Sequence, residues 1–174
     1  MMSGLANTRS NTTGGTAANA LLGGVLGGIA GAAAFGVLMW ALDPEFLEAS
    51  IPALYGLEPT TTVGWAIHLL HGVILGVTFA AIVSRDAVAR WLTADVETDA
   101  LARTGLAMRL IAAGFVYGLA IWAILPVIVM PTWLGYVGHA RAGVIPAIAV
   151  ESLVGHVIFG TLLGAVYAAV VTRG

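Results

Sequence analysis

Four long apolar stretches, separated by short polar ones, run along the chain. They are Ala18 to Leu42, Thr61 to Ser84, Leu110 to Met130, and roughly Val144 to Thr172. A bilayer core of ~30 Å takes about 20 apolar residues as a helix. Each stretch is long enough to cross it, and the fourth is long enough to tilt. None has a charge at its centre, and Glu151 is the only acidic residue inside any of them. The first outruns the ~7–15 apolar residues of a signal peptide. It ends in Asp43-Pro44-Glu45 instead of a small-residue cleavage site, so it reads as a retained helix. The pattern divides the chain into a polar tail over 1–17, a first hairpin over 18–84, an inner loop over 85–109 and a second hairpin over 110–174. Met1 to Thr16 reads as mobile. The connecting segments are not plain linkers. Residues 43–60 hold Phe46, Leu47, Ile51, Leu54 and Tyr55 among acids, and residues 131–143 hold Trp133, Leu134 and Tyr136. Both are expected at the membrane interface, where Trp and Tyr settle, in one belt with Trp40 and Trp65. Val88, Trp91 and Leu92 predict a short surface helix in the inner loop.

Composition agrees with this pattern. Of 174 residues, 59% are hydrophobic and 9% charged, against about 25% charged in an ordinary soluble domain; mean hydropathy is +0.97. The expected fold class is an all-α membrane protein, a four-transmembrane-helix bundle. A soluble globular domain, a disordered chain and a nucleic-acid binder are excluded, the last because a net charge of −2 gives no basic surface. The absence of cysteine removes disulfides and thiolate chemistry. Arg9, Arg85, Arg90, Arg103, Arg109 and Arg173 fall on one side of the four spans, and only Arg141 on the other. Positive residues stay inside, so both termini are expected in the cytoplasm of a cell-membrane protein. There is no lysine, and the polar segments are acidic. That composition suits a halophilic archaeon or a GC-rich genome.

The second and fourth stretches repeat. His68 to Arg85 aligns with His156 to Arg173 at an offset of 88, with eight of 18 positions identical, including the histidine, two glycines and the arginine. Phe35-Gly36 and Trp40 align more weakly with Tyr117-Gly118 and Trp122 at an offset of 82. Two parallel helical-hairpin repeats are predicted, related by a pseudo-twofold axis along the membrane normal.

Polar residues gather on one stripe of each repeat. Gly64, His68, Gly72 and Gly76 recur every four residues, as do Ser152, His156, Gly160 and Gly164, so each set shares a helical face. Small-residue faces are where membrane helices meet. Gly72, Gly76, Gly160 and Gly164 are therefore the expected packing contacts, and His68 and His156 are expected to face protein, approaching each other across the axis. Each lies 17 residues before its terminal arginine, about 25 Å along a helix, hence at equal depth. His71 lies one turn deeper. Three readings stay open. The histidines bond across helices, at ~0.6 kcal/mol each. They ligate a b-type haem axially, His68 and His156 serving as the pair. Or they line a proton or ion path with His71 and Glu151.

No complete hydrolase, metalloprotease, nucleotide-binding or calcium-binding motif occurs, and no enzymatic activity is expected. His68-Leu69-Leu70-His71-Gly72 and Gly155-His156 with Gly160 resemble an uncharacterised haloarchaeal family of small four-span membrane proteins, over about Ala18 to Arg173. The resemblance implies topology and source, and no activity. The function expected is a non-enzymatic integral membrane protein, an accessory or ligand-binding component (haem b or a metal) of a membrane assembly. The alternative is a small proton, ion or solute transporter or channel acting as a homo-oligomer. The expected partners are the lipid bilayer and either a homo-oligomer or a larger membrane complex; no nucleic acid is expected.

Overall fold

The computed structural model describes residues 3–93, 99–138 and 145–173, and among these it contains helices and turns with no strand. His139 and Arg141 lie outside the described residues, as do the side chains of Arg9 and Arg103. Helix α1 is Ser3–Leu42, α2 Ile51–Ala53, α3 Thr61–Val83, α4 Asp86–Thr93, α5 Asp99–Ile124, α6 Met130–Tyr136 and α7 Val150–Val171. Four apolar spans lie in these helices: Ala17–Leu42, Thr61–Val83, Gly105–Tyr136 and Val150–Val171. Each is long and apolar enough to cross a bilayer, which is the architecture of a multi-pass integral membrane protein.

Several boundaries differ from the sequence expectation. Helix α1 already begins at Ser3, so the polar lead continues the first span as helix. The third span reaches Tyr136 because α5 and α6 join through a π turn at Leu125–Val129. Pro126 and Pro131 lack the N–H a regular helix needs there. The Val127 carbonyl, whose helical partner would be Pro131, accepts from the Ala147 N–H at 3.0 Å. The fourth span starts at Val150 after an extended Ala149 (φ −121, ψ 123), not near Val144. Pro146 disfavours helical backbone at the residue before it.

Glycines set the packing. Gly24 and Gly28 of α1 face α3: a Cβ at Gly24 would lie 2.6 Å from the Gly76 oxygen, and one at Gly28 would run into the Gly72 carbonyl. Gly23, Gly27 and Gly31 face α7, where a Cβ would meet Tyr167, Leu163 and, at 2.6 Å, the Phe159 oxygen. Stripes one residue apart are about 100° apart around a helix. Helix α1 thus shows bare backbone to two neighbours and, with α7, forms the centre of the bundle. The α5–α7 seam joins Gly114 and Gly118 to Gly160 and Gly164. Gly72, Gly76, Gly160 and Gly164 are all buried.

Gly28 meets Gly72 and Gly76, and Gly114 meets Gly160 and Gly164; these two sets of glycine contacts are offset by 86, one turn away from the 82 that the aromatic residues suggest. Backbone approach sets the register, and it is made by glycine. Packing between the hairpins departs from the expected twofold. Helix α1 lies along α7, while α3 and α5 lack the equivalent backbone contact among the described residues. They meet through side chains: Phe79 against Tyr117 at 5.4 Å between ring centroids, with the Tyr117 hydroxyl donating to the Leu75 carbonyl at 3.0 Å.

The connecting segments fold inward. A π turn at Phe46–Ser50 and α2 return onto α3, burying Leu47, Ser50 and Ile51. Gly64 makes room, since a Cβ there would strike the Leu47 carbonyl. The rest of the segment is open, with Tyr55 and Leu57 exposed. Trp133 and Tyr136 do stay exposed, while Leu134 is buried. Helix α4 forms in the inner loop, with Leu92 buried in the core and its carbonyl accepting from Arg109 Nη1 at 2.8 Å.

Candidate functional site

Where α3 and α5 part, the bundle holds a cavity of about 520 Å³. Its inner wall comes from α1 and α7, through the buried residues Ala32, Phe35 and Phe159. Its rim comes from α3, the π turn and the α2/α6 segments. Ile74, Leu125, Val129, Tyr55 and Trp133 line it and are all exposed. The cavity therefore opens sideways, between α3 and α5, on the surface that faces lipid in a spanning orientation. Two contacts hold its roof. Trp133 Nε1 donates to the Leu54 carbonyl at 2.8 Å, joining α6 to α2. The Tyr55 hydroxyl is hydrogen-bonded to His71 Nε2, joining α2 to α3. Beyond Leu75 the Phe79–Tyr117 contact bridges α3 and α5, and Phe79 also meets Tyr167 edge-on at 5.4 Å.

His68, His71 and His156 all reach this cavity wall. His68 Nε2 donates to the Ala32 carbonyl of α1 at 2.9 Å. His156 Nδ1 donates to the Ser152 carbonyl, one turn back on its own helix, at 2.7 Å. A carbonyl only accepts, so these bonds fix which nitrogen carries the proton in each ring. The two histidines are brought together around a residue the sequence reading did not single out. The Phe35 ring is edge-on to both, 5.3 Å from His68 and 4.7 Å from His156 between centroids. They share a helix-one partner, Phe35.

A haem iron held between two imidazoles needs their ligating nitrogens roughly 4 Å apart with both lone pairs aimed at it. Here His68 Nε2 is engaged at Ala32, and Phe35 lies against both rings. The arrangement does not fit a bis-histidine haem. Among the described residues no three His, Asp or Glu side chains gather as a metal-ligand set. Glu151 is exposed and does not line the cavity that the three histidines share.

Phe35 had a legible signal: it continues the four-residue stripe of Gly23, Gly27 and Gly31, which turns it toward α7. Tyr55 and Trp133 had none, because their place depends on how the connecting segments fold back. The wall is apolar, with a few fixed polar atoms, which is the usual make-up of a small-molecule site. Comparison with known protein families, curated proteins and solved structures gave no match, so this chemistry is the basis for a functional reading.

Proposed function

We propose that the chain is a non-enzymatic integral membrane protein that binds one lipid-soluble molecule taken in sideways from the bilayer, as an accessory or ligand-carrying component of a membrane assembly. The cavity between α3 and α5 carries this reading. Its volume of about 520 Å³ lies within the range of about 300–1,000 Å³ common for small-molecule sites. Its mouth is bounded by exposed apolar side chains, Ile74, Leu125 and Val129. By the arginine distribution the cavity belongs to the outer half of the membrane, with both termini in the cytoplasm. A transporter or channel needs access from the other side as well, where Phe79, Tyr117 and Tyr167 pack together.

The test uses delipidated protein in detergent and three probes with the same chain: hexadecane, hexadecyl methyl ether and hexadecan-1-ol. Native mass spectrometry is expected to find one chain bound per protein at saturation. Ile121→Trp, on the cavity wall, is expected to abolish binding. Ile128→Trp, on the exposed lipid face, is expected to retain it. No saturable binding of any probe, or equal binding by Ile121→Trp, overturns the proposal.

A further inference from the structure

We infer that the bound molecule has a hydrogen-bond-donating polar end, a hydroxyl on an apolar body, and that His156 Nε2 accepts its proton. This rests on the cavity reading above and adds the chemical class of the ligand.

His156 uses Nδ1–H on the Ser152 carbonyl, and the cavity wall holds no carboxylate to neutralise an imidazolium. The ring is therefore a neutral imidazole with its lone pair on Nε2. Nε2 is at the far end of the ring from its own backbone, and no donor is bonded to it among the described residues. Phe35, edge-on at 4.7 Å, braces the ring. His68 likewise uses its Nε2 proton, on the Ala32 carbonyl, and keeps a lone pair only on Nδ1, beside its own backbone. The Trp133 indole proton is engaged at Leu54. The Tyr55–His71 pair keeps one further proton, and it sits at the rim, where Tyr55 is 56% exposed. The inner wall thus offers acceptors without donors. A ketone, ester or ether there meets lone pairs with lone pairs. A hydroxyl satisfies His156 Nε2 and leaves the apolar body against Phe159 and Ile121. Specificity of this kind comes from a site that leaves its buried polar atom unpaired with the wrong ligand.

The experiment compares hexadecan-1-ol with hexadecyl methyl ether, which keeps the oxygen and lacks the proton. Wild-type protein is expected to bind the alcohol about 3- to 10-fold more tightly, the range for one net hydrogen bond. His156→Phe keeps a flat ring and removes the acceptor, so the two affinities are expected to converge while both chains still bind. A measurement on unmutated protein guards against a variant that fails to fold. In ring-labelled wild type, the His156 Nε2 nitrogen resonance is expected to move with the alcohol and to stay put with the ether. Equal affinities in wild type, with Ile121→Trp blocking both probes, overturn the hydroxyl inference and leave the cavity reading standing. Failure of every probe to bind removes both.

Discussion

Replacing Gly160 by alanine tests whether backbone approach, and not side-chain burial, holds the second hairpin together. An added Cβ would lie 2.8 Å from the Gly118 Cα and amide nitrogen, and nearer still to the Gly114 oxygen. Carbon atoms pack best at about 3.5–4.0 Å, so α5 must withdraw by roughly 1 Å. Every obstructing atom is backbone, so no rotamer change relieves the clash. Overpacking of this kind costs about 1–3 kcal/mol. Alanine returns some of that, since glycine is about 0.8–1 kcal/mol worse inside a helix. The matched control is Gly105→Ala, within the partner helix α5, where an added Cβ meets nothing within 4 Å. It gains the propensity without the clash. The difference between the two variants cancels the propensity and isolates the overpacking, at about 1–3 kcal/mol. The assay is thermal unfolding in detergent followed by circular dichroism, where each kcal/mol moves the midpoint by about 2–4 °C for a chain of this size. Gly105→Ala is expected at or above wild type, and Gly160→Ala below both. A Gly160→Ala midpoint equal to that of Gly105→Ala would refute the reasoning.

The chain has no cysteine, so single-cysteine variants report topology cleanly: Glu58→Cys is expected to label from outside only and Ala87→Cys from the cytoplasm only, and the reverse pattern sinks the proposed orientation. Haem reconstitution is expected to give no Soret band that depends on His68 and His156 together, because Phe35 lies against both rings; a band lost only in the double alanine variant would show that the site rearranges to hold iron. Arg109→Ala removes the donor to the Leu92 carbonyl, worth about 1 kcal/mol for a half-buried bond, and is expected to speed amide exchange in α4. Unchanged exchange would mean that Leu92 burial alone docks that helix.

The sequence by itself determined the number of spans, because a bilayer accepts only segments of a narrow range of length and polarity, and the four apolar runs meet that condition locally. It also determined which helix faces meet, because glycine every fourth residue leaves a groove whatever the partner. The tertiary structure decided the partners. Two glycine stripes on α1 serve two different helices, and nothing local says that the second is α7 instead of α5. It also decided the register of α5 against α7, where glycine carbonyls, not aromatic rings, make the close contact. The candidate site divides in the same way. His68, His71 and His156 were legible as polar residues on packing faces. The cavity was not, because it exists only where α3 and α5 fail to close. Its roof depends on prolines and π turns that send Tyr55 and Trp133 back over the bundle, and a fold-back of that kind is set by distant backbone, such as the bare surface of α3 at Gly64.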